Sequence, residues 1–256
     1  MSYPSVGLEL EVKIFNKTVI GQTSIKMNGT PDITQKNRPL VQTVQITQKN
    51  RPSVFSVLSV LLIRHGKTIG NMQRRYIGCT DEPLCEQGVA QAQSTGVLED
   101  IIDAYVSPMQ RAIQTAGICF PNANIHIIED LREMDFGDFE GRTADEMICD
   151  MAYREWVDGN CEGQCPNGED KTTFKVRVQT AFDFVVRDAI ERQLNKLAVV
   201  GHGGTIMSIM SKFAKSDQTY YDWHVPNCCG YEIVIDKGAW EQAPQFAEYK
   251  YFERLK

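Results

Sequence analysis

From Val54 to Ile63 the chain reads Val-Phe-Ser-Val-Leu-Ser-Val-Leu-Leu-Ile, then breaks into Arg64-His65-Gly66. So short an apolar run is about half a membrane span, and Val57–Ile63 predicts a buried strand. Residues 86–98 follow a helical pattern. Asp103–Val106 predicts a short strand, and Ser107-Pro108 leads into a helix through Ile118. Ile125–Ile128 predicts another strand. Between Lys171 and Leu194 the apolar residues fall at 174, 178, 181, 182, 185 and 189, the period of one helix face. Leu197–Val200 predicts a strand running into Gly201-His202-Gly203-Gly204, followed by a helix to Phe213 and strands at 231–236 and 246–251. Strands alternating with helices predict an α/β fold, a three-layer α/β/α sandwich with a mostly parallel central sheet. Such sheets bind ligands beyond the carboxyl ends of their strands, and both His-Gly pairs stand there.

Charge divides the chain at the same boundary. The 256 residues carry a net charge of −6. Residues 1–57 hold seven Lys/Arg and three Asp/Glu, while the rest hold 20 and 30, together with all eight Cys, all four His and all three Trp. Ile33–Pro39 recurs thirteen residues later as Ile46–Pro52, too few copies for a solenoid. Residues 1–57 are therefore expected to be a flexible extension, a mis-set translation start or a docking arm, and residues 58–256 a catalytic domain. The acidic balance argues against a nucleic-acid partner bound by broad phosphate neutralisation. Residues 1–20 lack a basic segment followed by an apolar core, so the expected setting is cytoplasmic, with free thiols and no membrane association.

Two phosphate motifs are excluded. Gly66-Lys67-Thr68 resembles the end of a P-loop, but Leu61 stands where its earlier glycine belongs. Gly201-His-Gly-Gly is no dinucleotide fingerprint. Four other pieces each follow a predicted strand: Arg64-His65-Gly66; Ser107-Pro-Met-Gln-Arg111-Ala-Ile-Gln-Thr-Ala116; Leu131-Arg-Glu133-Met-Asp-Phe-Gly137-Asp-Phe-Glu-Gly141; and Val200-Gly-His202-Gly-Gly. They project two Arg, two His and a Glu from one sheet edge. Guanidinium forks to hold oxygens and imidazoles to donate or attack are what a phosphate dianion requires.

With Thr68, Asn71, Gly78, Asp81-x-Pro-Leu, Gly88 and Gln91-Ala92 in order, these pieces resemble the histidine phosphatase superfamily, or phosphoglycerate mutase-like fold, from Val60 onward. The resemblance implies that His65 attacks phosphorus, with its other nitrogen held by a backbone carbonyl. It implies that Arg64, Arg111 and His202 surround the phosphoryl group and that Asn71 joins them as a neutral donor. Glu133 would protonate the leaving alkoxide and then activate water, its pKa raised by a nearby phosphate. Gly78 and Gly203 complete the expected substrate-binding set. No metal and no cofactor are implied.

Asp135 and Asp138 are expected to shape turns, His224 either contacts substrate or is structural, and His126 is expected to be non-functional. A four-thiolate zinc site from Cys161, Cys165, Cys228 and Cys229 is disfavoured by its spacing. Cys85 is a weak helix cap, and Asp170 is expected both to cap a helix and to place a carboxylate near the site mouth. The mutases of the family carry a Trp shortly after Arg-His-Gly and a long insertion before the second His motif. Residues 67–72 contain no Trp, and Glu133 and His202 are only 69 residues apart. A phosphatase is therefore expected. Phe136–Gly141 and Tyr153–Glu169 are most similar to the α-ribazole phosphatase branch, so α-ribazole 5′-phosphate is the expected substrate. A broad-specificity phosphatase, a mutase and a non-catalytic phosphate-binding module are the alternatives. The expected partners are a small phosphorylated substrate and, for assembly, a second copy in a homodimer.

Overall fold

The computed structural model describes residues 56–253. The reading of residues 1–57 as an extension falls, apart from its last two residues, outside the described residues. Six strands form one sheet: β1 (Val57–Arg64), β2 (Asp103–Val106), β3 (Asn124–Ile127), β4 (Lys196–Gly201), β5 (Gly230–Asp236) and β6 (Glu248–Phe252). Their order is β3-β2-β4-β1-β5-β6. The ladders β1–β4, β2–β4 and β2–β3 are parallel, and only β5 runs against the rest. Seven helices accompany them: α1 (Ile69–Met72), α2 (Glu86–Thr95), α3 (Gln110–Cys119), α4 (Met151–Asp158), α5 (Lys171–Glu191), α6 (Gly203–Phe213) and α7 (Lys237–Trp240). Among the described residues no helix is long and apolar enough to cross a membrane.

The β1 pattern is apolar throughout because both faces of the strand are covered. Leu58, Val60 and Leu62 join the core beneath α5 and α6, with Phe174, Val178, Phe182, Ile206 and Ile209. Leu61 and Ile63 join the opposite core, with Ala92 of α2 and Ala112 and Ala116 of α3. The three-layer sandwich is thus present, with β1 and β4 at its centre. Helix α5 buries the apolar stripe read from its period, and Asp170 caps it by accepting from the Thr173 N–H. Cys85 caps α2 with no side-chain hydrogen bond, as a thiol in place of a hydroxyl predicts.

Candidate active site

His65 and His202 stand just past the ends of β1 and β4, and Arg64 is the last residue of β1. His65 follows β1 and is 3% exposed. Its main-chain N–H donates to the Gly201 carbonyl at 3.0 Å, so the β1 and β4 termini are tied together at the site. The imidazole Nδ1 lies 2.6 Å from the Gly66 carbonyl. A carbonyl only accepts, so Nδ1 carries the proton and the Nε2 lone pair is free. Burial, with Arg111 and Arg64 nearby, holds the His65 pKa well below the ordinary imidazole value.

Arg111, on the first turn of α3, is fully buried. Its NH2 donates to the Gly78 carbonyl at 2.7 Å, its NH1 to the Thr80 carbonyl at 2.8 Å and its Nε to His202 Nδ1 at 3.2 Å. Three of the fork's N–H groups are so used, and the remainder are available to a ligand. His202 Nδ1 is therefore an acceptor, and its Nε2–H donates to Ser107 Oγ at 2.7 Å. Burial and the adjacent Arg111 keep this ring neutral too. Both of its nitrogens serve the protein, so in this structure His202 orients Arg111, where a phosphoryl donor was expected. Gly78 also differs from expectation. Its carbonyl holds Arg111 and its N–H donates to Glu140 at 2.9 Å, and a Cβ there would lie 1.8 Å from the Met134 carbonyl oxygen. It is packed behind Arg111 and supports it.

Arg64 donates through NH1 to the Val225 carbonyl at 2.8 Å and lies 3.4 Å from His224 Nε2. Its Nε is buried with no hydrogen-bond partner. An unsatisfied buried guanidinium donor beside His65 is costly unless an anion completes it. Gly203 packs beside this head group, where a Cβ would make an ordinary 3.5 Å contact with Arg64 Cζ. Asn71 uses its Oδ1 in a capping box with Thr68 and as acceptor from Asn227 Nδ2 at 3.3 Å, leaving its amide N–H groups to the cavity it lines.

Glu133 sits at the N-terminus of α6. Its carboxylate accepts from the Gly204 N–H at 2.9 Å and from the Met134 N–H at 3.0 Å. Burial raises its pKa, opposed by those N–H groups and by Arg64 and Arg111. The upward shift therefore exists before any phosphate arrives. Asp135 accepts from the Gly137 N–H and Asp138 from Asn167 Nδ2, so both shape turns. Asp170 caps α5 through the Thr173 N–H and Oγ1, as expected, but it does not line the cavity. His126 lies on β3, bonded to Asp103 at 2.7 Å. Among the described residues the four cysteines weighed for zinc form no cluster with metal-ligand spacing.

Sequence reasoning missed two supports. Asn227 donates to the His65 carbonyl at 2.9 Å as well as to Asn71, and its only sequence signal is the Pro226-Asn227 turn. Arg177, on α5, pairs with Glu169 at 2.7 Å and donates to the carbonyls of Asp130, Arg132 and Glu133 at 2.9, 3.2 and 3.3 Å. It fastens the Glu133 loop. Arg177→Met is expected to cost about 3 kcal/mol, because Glu169 is left nearly buried and unpaired. Turnover is expected to fall about tenfold or more with little change in KM. Thermal unfolding and steady-state kinetics read both effects, and a wild-type profile in each would refute the role.

The cavity in front of Glu133 and Arg64 measures about 310 Å³. Tyr76, Phe136, Trp156, Phe174, Tyr220 and Tyr221 line it together with polar and charged residues that include Lys171, and exposed His224 lines it too. Tyr153, expected in a lid, is buried behind this wall with its hydroxyl 2.9 Å from that of Tyr76.

Comparison with known proteins agrees with this geometry. The family model of the histidine phosphatase superfamily (branch 1) matches residues 60–244. The chain is 30% identical over 162 residues to 2,3-bisphosphoglycerate-dependent phosphoglycerate mutase 2 of Gloeobacter violaceus, spanning 59% of this chain and 73% of that protein. It is 28% identical over 188 residues to the adenosylcobalamin/α-ribazole phosphatase of Escherichia coli, spanning 70% and 86%. The crystal structure of the α-ribazole phosphatase from Shigella flexneri superimposes with a TM-score of 0.60 at 27% identity, covering 70% of this chain and 90% of that one.

Proposed function

This chain belongs to the histidine phosphatase superfamily and is an enzyme of phosphatase type, and from that premise we propose that it hydrolyses a small phosphate monoester through a phosphohistidine on His65. The observation that carries this reading is the buried, unpartnered Arg64 Nε beside a neutral histidine whose Nε2 lone pair is free.

The chemistry follows from the contacts. His65 Nε2 attacks phosphorus, and the bond to the ester oxygen breaks. The leaving alkoxide takes the proton of Glu133, whose raised pKa makes it an acid. Arg64 and the free N–H groups of Arg111 hold the phosphoryl oxygens as charge develops on them. Asn71 adds a neutral donor. The Glu133 carboxylate then takes a proton from water, the oxygen of that water attacks phosphorus, and phosphate leaves with His65 restored. Metal is not required in this scheme because the two guanidinium groups supply the positive charge. Incubation with EDTA is expected to leave turnover of p-nitrophenyl phosphate within about twofold of the untreated enzyme. A loss restored by a divalent cation would overturn the metal-free scheme.

For the substrate, the proposal is α-ribazole 5′-phosphate. The aromatic cavity wall supports it, because stacked rings favour a planar apolar base over a short polyol acid. The names of the Escherichia coli and Shigella flexneri relatives add support. A panel of phosphate esters tests it: kcat/KM for α-ribazole 5′-phosphate is expected to exceed that for 3-phosphoglycerate by at least about a hundredfold. Equal values across the panel would favour a broad-specificity phosphatase. Conversion of 3-phosphoglycerate to its 2-isomer faster than phosphate release would establish a mutase, and absence of all turnover a binding module.

A further inference from the structure

A second cavity, of about 600 Å³, adjoins the aromatic one, and Arg64, Asn71, Arg75 and His224 line both. Its remaining wall has a different character. Lys67, from the turn after β1, and Arg74, just past α1, contribute two cations, and Glu253 contributes one carboxylate. Arg75 is already committed, pairing with Glu146 at 3.0 Å and donating to the Gly141 carbonyl. Lys67 Nζ reaches only the neutral Gln87 Oε1, at 3.5 Å. Among the described residues neither Lys67 nor Arg74 has an ion-pair partner. Arg74 keeps a long cationic side chain at a left-handed backbone position, φ 58°, where a small residue is less strained. The cavity thus gathers uncommitted positive charge in a protein whose net charge is −6.

Cations concentrated in a concave site focus an attractive potential on an anion. We propose that this cavity is a second anion subsite, adjoining the phosphoryl cradle at Arg64, that takes a phosphate-class anion through Lys67 and Arg74. The anion is either the second acidic group of a substrate other than α-ribazole 5′-phosphate, which carries only the one phosphate, or free phosphate. The proposal rests on the phosphatase reading only for the first of these sources.

The test compares the wild type with a Lys67→Gln/Arg74→Gln double variant. Neither side chain belongs to the catalytic machinery, so kcat/KM for p-nitrophenyl phosphate is expected to stay within about twofold, and matched circular dichroism and melting curves control for folding. In the wild type, a phosphate ester bearing a second phosphate or carboxylate is expected to show a KM about tenfold below that of a neutral ester of similar size, and the double variant is expected to lose this preference. Calorimetric titration with inorganic phosphate reads the second source: two sites in the wild type and one in the double variant. Preference without a second phosphate site assigns the cavity to substrate, and a second phosphate site without preference assigns it to free phosphate. One phosphate site in both proteins, with no preference in either, overturns the subsite. Should p-nitrophenyl phosphate resist hydrolysis altogether, the phosphatase reading fails while the calorimetry still decides the subsite.

Discussion

The His65→Ala variant is expected to lose hydrolysis of p-nitrophenyl phosphate by about four orders of magnitude or more, with its fold retained. Removing the ring deletes the proposed attacking atom, Nε2, which lies near Arg64 and Arg111. The buried ring lies near both Arg111 and Arg64, and its Nδ1 is held by the Gly66 carbonyl, which leaves Nε2 as the attacking atom. The backbone at this point is secured independently of the ring. The main-chain N–H of residue 65 bonds to the Gly201 carbonyl, and its carbonyl accepts from Asn227. The variant is therefore expected to bind phosphate while failing to turn over. Acid-labile, base-stable labelling of the wild type by a radiolabelled ester, absent in His65→Ala, would identify the phosphohistidine. Residual activity within a hundredfold of wild type would refute nucleophilic catalysis by this residue.

Glu133→Gln is expected to lower kcat by about 10²–10⁴-fold, the range for a positioned acid–base group. The pH profile supplies the sharper test. His65 must be neutral to attack, and its pKa is held below the ordinary value of 6.5, so the acidic limb of kcat/KM is expected below that pH. Glu133 must be protonated to donate, and burial raises its pKa above 4.5, so activity falls as pH rises through that shifted value. Glutamine neither donates a carboxylic proton nor accepts one from water, so the basic limb disappears. With p-nitrophenyl phosphate, whose leaving group needs little protonation, the variant is expected to release one equivalent of p-nitrophenol in a burst and then stall at the phosphohistidine. A wild-type basic limb in this variant would assign the acid elsewhere.

The strands and the site positions were legible because burial and chemistry are both local signals here. Strands β1 and β4 are covered on both faces, so apolar runs marked them, and each run stopped where polar residues turn toward a ligand. Edges were read less well. Strand β3 was expected at Ile125–Ile128 and lies at Asn124–Ile127, largely exposed, where the hydrophobic pattern is weak. Helix α2 was expected to reach Leu98 and ends at Thr95, because Gly96 takes φ 84°. Helix α4 was not anticipated as a helix, although Asp150 caps it through the Ala152 N–H at 3.1 Å, since its eight residues offer little over two turns of periodicity. The roles of Asn227 and Arg177 were illegible for another reason. They act on residues 162 and 44 positions away, and no spacing rule spans such distances. The same limit hid the tautomer of His202, which depends on Arg111 folding against it.

The aromatic residues of the cavity wall come from α4, α5 and connecting segments, whereas Arg64, His65 and His202 stand at the ends of β1 and β4 in the middle of the sheet. Trp156, Tyr220 and Tyr221 thereby lie outside the stretches that carry the reacting groups, while Tyr76 and Phe136 lie close to Asn71 and Glu133 in sequence. Variation at Tyr76, Phe136, Trp156, Tyr220 or Tyr221 can exchange one alcohol for another without disturbing the register of β1 against β4. Such a design lets a lineage diversify its diet while its reaction stays the same.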